Sequence, residues 1–243
     1  MKDELRHLRD DYLLHRNTIL RYDTNNTPRI SEEELREMLN ALQQFERPDM
    51  YAIVGNKVYI LEHFVFDASL EEEGTGMEGI KKERLLSQRA DKAVPDGEWH
   101  IDKAVYPISL ANFQRNFEAH FKDHYEKIEE YKGSVLGQKL ESGNYELIVG
   151  FWVENQYPPL FQIGSRFSGE LYYFSTKQFS NLLLEHSKID FMLFGCNCNG
   201  PQLFYIDRFT LCPKSQQIDL MSEGISLSHL NQNEVTMYGA FTL

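Results

Sequence analysis

No apolar run in the chain approaches the ~18 residues that a membrane span needs, and the opening residues, MKDELRHLRDDY, lack the apolar core of a secretory leader. The expectation is a cytoplasmic chain with no membrane partner. Cysteine is scarce: Cys196, Cys198 and Cys212 are odd in number and too few for a disulfide framework, which makes reduced thiols the default. There is no Walker-type phosphate loop and no Gly-X-Ser-X-Gly elbow, so nucleotide hydrolysis and serine-hydrolase chemistry have no support. Cations are also in short supply. Lys and Arg number 25 against 37 Asp and Glu, a formal charge of −12 that disfavours nonspecific attraction to polyanions. A local basic groove is compatible with that balance, and an acidic site recruits metal. Against these absences stand 243 residues, 42% apolar and 13% aromatic, enough to bury a full core. With no internal repeat and no long linker, residues 1–243 read as a single domain.

The most informative stretch is RPDMYAIVGNKVYILEHFVFD, Arg47 to Asp67. Two apolar β-runs, Met50 to Val54 and Lys57 to Phe66, flank Gly55-Asn56, a two-residue turn suited to a type II′ hairpin. If Val54 faces Lys57, the register sets Ile53 against Val58, Tyr51 against Ile60, and Asp49 against Glu62. Opposed carboxylates about 5 Å apart repel by roughly 3 kcal/mol at an effective dielectric near 20. A divalent cation, a shared proton, a nearby Arg or Lys, or exposure to water would have to compensate. The same register puts Arg47 opposite Phe64, beside Asp49, where it is a candidate neutraliser.

Elsewhere, Leu5, Leu8, Tyr12 and Ile19 predict a helix over residues 3–20. A second is announced by Ser31 as cap, Glu34 completing a capping box, and Ile30 with Leu35 as a hydrophobic staple, with Leu35, Met38, Leu39, Leu42 and Phe45 as its stripe. Residues 68–100 are acidic, glycine-rich and polar, a mobile loop or insertion that carries Lys81, Lys82, Arg84, Arg89 and Lys92. Its plainest reading is a solvated surface loop. Phe113, Phe117, Phe121, Tyr125 and Ile128 predict a long crossover helix through Tyr131 that ends near Gly133. The run ELIVGFWV, within Tyr145 to Val153, suits a strand buried on both faces. Strands at Glu170–Phe174, Ile189–Phe194 and Gln202–Ile206, a helix over Thr176–His186, and a terminal strand within Met237–Leu243 complete the reading, with the Ile189 and Gln202 strands forming a hairpin. The order implies an α/β fold with a central mixed sheet flanked by helices.

A Pro-Asp dipeptide, a hairpin of about a dozen residues, and an acid on the second strand, all preceded by an acidic helix, resemble the restriction-endonuclease-like, PD-(D/E)XK, nuclease superfamily. Pro48-Asp49 and Glu62-His63-Phe64 stand in the motif positions, and the likeness covers residues 31–67. It implies a restriction-endonuclease-like core with an inserted loop, Asp49 and Glu62 as catalytic residues, and Mg²⁺ or Mn²⁺ held by Asp49, Glu62 and a helix acid, for which Glu34 is the candidate. Nucleic acid is the partner it implies. The motif's lysine is Phe64 here, so a substitute has to come from elsewhere, with Lys57, Lys81 and Lys82 as candidates. Lys81, Lys82 and Arg84 are the candidate substrate contacts. The alternative is a non-catalytic scaffold of the same kind that binds a protein partner or a second copy.

Rival sites are weaker. Glu154-Asn155-Gln156 offers a variant Glu-X-Lys arrangement that a polar strand end explains more simply. His120 and His124 have a helical metal-pair spacing, but the accompanying glutamate of a zinc peptidase is replaced by Phe121. Strand alternation points His63 away from Glu62. The three cysteines match no structural zinc spacing.

Overall fold

The computed structural model describes residues 4–9, 19–21, 26–66, 99–104, 110–139, 143–155, 160–163, 168–196, 202–222, 225–226 and 234–239. The Gly55-Asn56 turn joins two antiparallel strands, β3 (Met50–Val54) and β4 (Lys57–Phe66), in the register read from sequence: Val54 opposite Lys57, Tyr51 opposite Ile60, Met50 opposite Leu61. Gly55 adopts φ 60°, a left-handed conformation that glycine enters without a Cβ penalty. Before the hairpin run β1 (Ile19–Arg21) and β2 (Gln43–Gln44), and β5 (Trp99–Ala104) follows it. Later come β6 (Glu146–Asn155), β7 (Leu160–Ile163), β8 (Ser168–Leu171), β9 (Phe191–Cys196), β10 (Gln202–Asp207), β11 (Ile225–Ser226) and β12 (Glu234–Gly239).

Seven of these form one mixed sheet in the order β1-β10-β9-β6-β4-β3-β2. β6 lies parallel to both β4 and β9, while β2/β3, β3/β4 and β9/β10 are antiparallel. Strand alternation then sorts the core into two layers. On one face Met50, Ala52, Tyr59, Leu61, Trp152, Leu193 and Tyr205 meet α1 (Glu4–Leu8) and the Leu35, Met38 and Leu39 stripe of α2 (Glu32–Ala41). On the other, Val58, Ile60, Phe64, Phe66, Phe151 and Phe194 meet α3 (Leu110–Glu126), α4 (Ile128–Lys139) and α5 (Lys177–Glu185). The fold is thus α/β, a mixed sheet flanked by helices. β6 is buried from Ile148 through Glu154, as its unbroken apolar run requires. No helix among the described residues is long and apolar enough to cross a membrane.

Several boundaries differ from the sequence reading. Of the predicted first helix, only Glu4–Leu8 is helical among the described residues, and Ile19–Arg21 is strand β1, paired parallel with β10. A β-branched residue beside an open strand edge gains ladder hydrogen bonds that outweigh helical periodicity. The crossover helix is two helices. It breaks at Lys127, whose N–H bonds the His124 carbonyl at 3.2 Å, and it restarts with Tyr131 N–H on the Lys127 carbonyl at 3.0 Å. Gly133 lies inside α4, not at its end. Burial of Ile128, Tyr131 and Val135 exceeds the ~1 kcal/mol that a helical glycine costs. The strand predicted at Glu170–Phe174 stops at Leu171, and Tyr173–Ser175 is a 3₁₀ turn that buries Tyr173 and Phe174. The insertion read at 68–100 lies outside the described residues except for Trp99 and His100, which belong to β5 and pair with β12.

Gly150 marks the tightest point of the sheet. It pairs with Phe191 across β6 and β9, and a Cβ there would overlap the buried Phe191 ring. Gly150→Ala is therefore expected to destabilise the chain by about 1–3 kcal/mol, the usual cost of overpacking. A urea unfolding midpoint equal to that of the wild type would contradict this close packing.

Candidate functional site

The acid pair sits where β3 begins and β4 runs toward its carboxyl end, beside parallel β6. Asp49 and Glu62 meet as the register requires, in a reciprocal exchange. The Asp49 N–H donates to Glu62 Oε2 at 3.1 Å, and the His63 N–H donates to Asp49 Oδ2 at 2.8 Å. Glu62 is only 8% exposed. Its Oε1 accepts from the Tyr131 hydroxyl at 2.9 Å and lies 3.0 Å from His124 Nδ1. His124 Nδ1 is also 3.2 Å from the Tyr131 oxygen. Tyr131 gives its proton to Glu62, so both oxygens facing Nδ1 are acceptors, and Nδ1 carries the hydrogen when Glu62 is ionised.

Electrostatics follow from this crowding. Burial, reinforced by Glu62 and then by Glu4, pushes the Asp49 carboxyl up to about 7, while the His63 N–H and His124 pull the other way. Glu4 reaches this neighbourhood because Gln44 holds α1 by both ends of its amide, donating to Glu4 Oε2 at 2.9 Å and accepting the Leu5 N–H at 2.8 Å. Burial and the Glu62 charge raise the Tyr131 hydroxyl well above its ordinary range, which keeps it a donor. Asp49 Oδ1 has no protein hydrogen-bond partner among the described residues, and no Lys or Arg there pairs with either carboxylate.

The other sequence candidates fall elsewhere. Arg47 is 74% exposed and pairs with Glu130 at 3.3 Å, so it does not neutralise Asp49. The Glu34 N–H donates to the capping Ser31 Oγ at 3.1 Å, but its carboxylate does not return to the Ser31 N–H. It turns to Lys57 Nζ at 2.6 Å and to the Tyr59 hydroxyl, on the face of the sheet opposite Glu62. The sheet therefore separates Glu34 from the acid pair, and Lys57 is committed to Glu34. His63 also points to that far face, as alternation implies. It stacks on Trp152 at 4.0 Å and meets Glu154 Oε2 at 3.0 Å, so the rival Glu154 belongs to a different cluster. Phe64, two residues beyond Glu62, is buried with its ring 5.2 Å from His124, 6.2 Å from His120 and 5.9 Å from Phe151. Lys81, Lys82, Arg84, Arg89, Lys92 and Cys198 lie outside the described residues, as does the Cys196 side chain; Cys212 is a buried free thiol.

Sequence reading missed Glu4, His124 and Tyr131 as neighbours of the pair. The sequence pairs His124 with His120, four residues away, whereas its partner on the site is Tyr131, seven residues on and across the break at Lys127. The donor chemistry suits a hard divalent cation: two carboxylates, one oxygen of which has no protein donor, in a place short of positive charge. Among the described residues no three His, Cys, Asp or Glu side chains gather closely enough to enclose a metal. A divalent ion held by two carboxylates takes the rest of its shell from water, as is usual for Mg²⁺. No protein-family model, curated protein or solved structure matches the chain.

Proposed function

We propose that this chain is a metal-dependent phosphodiester hydrolase of the PD-(D/E)XK type, acting on nucleic acid, with Asp49 and Glu62 as its metal ligands. The observation that carries the reading is the meeting of these two acids, Asp49 just before β3 and Glu62 midway along β4, with no lysine or arginine paired to either among the described residues. The element order supports it as well. Helix α2, strands β2, β3 and β4, the crossover helices and parallel β6 follow the sequence of the resembled core, with the acids at the expected strand positions. Bound Mg²⁺ or Mn²⁺ would polarise a phosphoryl oxygen and lower the pKa of an attacking water. Asp49 offers Oδ1 and Glu62 offers Oε2, while the His63 N–H holds Asp49 in place. Lys81, Lys82 and Arg84 are the proposed phosphate contacts.

A second reading, a non-catalytic scaffold that binds a protein, is favoured by one observation: Phe64 fills the lysine position and packs into the core. Calorimetric titration of Mn²⁺ separates the two. The wild type and Glu34→Gln are expected to bind the ion with similar affinity, and the Asp49→Ala, Glu62→Ala double variant not to bind it. A wild type that takes up no Mn²⁺ turns the conclusion to the scaffold.

A further inference from the structure

Phe64 leaves the motif without the basic group that would stand two residues beyond the strand acid, and the crossover helices bring a nitrogen and a hydroxyl to the same carboxylate. We propose that His124, backed by Tyr131, is the positioning residue that fixes Glu62 for metal binding. The inference rests on the metal reading of Asp49 and Glu62 and names residues that reading did not require.

Three observations converge on it. First, His124 Nδ1 and the Tyr131 hydroxyl both address Oε1 of Glu62, at 3.0 and 2.9 Å, and leave Oε2 directed toward Asp49. A carboxylate held at one oxygen presents the other in a fixed direction, which is how outer-shell donors orient metal ligands. Second, the ring of His124 lies nearly parallel to that of Phe64, with 12° between planes and 5.2 Å between centroids, and meets Phe151 edge-on at 6.2 Å. The aromatic side chain in the lysine position is thereby the platform that holds the imidazole. Third, the helix break at Lys127 falls between His124 and Tyr131, and both side chains still reach one oxygen. His124 stands in the last turn of α3 and Tyr131 in the first turn of α4.

The hydrogen bond geometry states which atom matters. Nδ1 donates, and asparagine at the same position carries an amide N–H at nearly the same distance from the backbone, whereas leucine keeps bulk and donates nothing. Mn²⁺ titrated alone into the full-length chain is expected to bind about 10- to 100-fold more weakly to His124→Leu than to wild type, the usual loss for an outer-shell partner. His124→Asn is expected to recover most of that loss, to within about threefold of wild type, a rescue that simple packing would not produce. Equal weakening by Leu and Asn, or wild-type affinity in His124→Leu, overturns the proposal. Should His124→Leu fail to fold, Tyr131→Phe decides, since it removes one oxygen and keeps the ring: weaker Mn²⁺ binding supports the positioning role, and unchanged binding overturns it. A wild type that binds no Mn²⁺ overturns the metal reading and this inference with it, whereas wild-type uptake that neither substitution alters overturns this inference alone.

Discussion

Alanine at Asp49 or at Glu62 is expected to lower Mn²⁺-dependent cleavage of a nucleic-acid substrate by about 10³-fold or more while the chain stays folded. The magnitude follows from the several kcal/mol that a bound metal contributes to a phosphoryl-transfer transition state, since each ~1.4 kcal/mol is a factor of ten in rate. Both substitutions are tolerable to the fold for separate reasons. Asp49→Ala removes one of two repelling acids, and among the described residues the one side-chain bond it breaks is from the His63 N–H. Glu62→Ala strands three donors, but the Tyr131 hydroxyl and His124 Nδ1 already stand 3.2 Å apart and can satisfy each other, which leaves the Asp49 N–H as the one lost partner, at a cost of about 1–3 kcal/mol. The measurement is single-turnover cleavage of short single- and double-stranded DNA and RNA with Mn²⁺ and with chelator, beside circular dichroism of each variant. Cleavage that survives both alanines would remove Asp49 and Glu62 from the chemistry.

Metal-free stability should fall as pH rises from about 4 to about 7, and Asp49→Asn should abolish most of that fall. In the unfolded chain Asp49 titrates near 3.8, and in the folded chain burial and Glu62 raise it to about 7. Below that window the carboxyl is protonated in both states. Within it, the folded state keeps a proton that the unfolded state has released, so stability declines with pH by up to ~1.4 kcal/mol per unit. The full loss, up to roughly 4 kcal/mol, is reached above about 7. Asparagine carries no titrating proton there, and its amide can accept from the His63 N–H while donating to Glu62. The variant is therefore expected to be the more stable one at pH 8, with the gap closing toward pH 4. Urea unfolding across this range tests it, and parallel curves for the two proteins would contradict the raised Asp49. The same proton opposes metal: Mn²⁺ affinity of the wild type should climb about tenfold per pH unit up to about 7 and then level.

How far the chain could be read depended on the range of the interaction. The hairpin, its register, its glycine turn and the Asp49–Glu62 meeting were legible because a two-residue turn and strict alternation set every opposed pair by counting. The capping serine of α2 and the doubly buried β6 were legible for the same reason: local periodicity and hydrogen bonding report directly on local structure. Counting failed where a remote element competed. Ile19 has helical spacing from Tyr12, yet it pairs with β10 nearly two hundred residues away. Glu34 completes a capping box on paper, yet Lys57 and Tyr59 on the hairpin supply stronger, charge-assisted or buried partners than the Ser31 backbone.

Sequence alone therefore determined an α/β order, an acid pair across a hairpin, and a phenylalanine two residues beyond the strand acid. Tertiary structure decided how that pair is borne. Only folding brings His124 and Tyr131 from the crossover helices to Glu62, 62 and 69 residues from it in the chain, and Glu4 into the field of Asp49. Only folding sends Arg47 out to Glu130 and Phe64 into the core. The physical reason is that strand pairing obeys a period that can be counted, whereas the direction of a buried carboxylate depends on donors delivered by helix packing, and no local pattern records which helix face arrives over which strand.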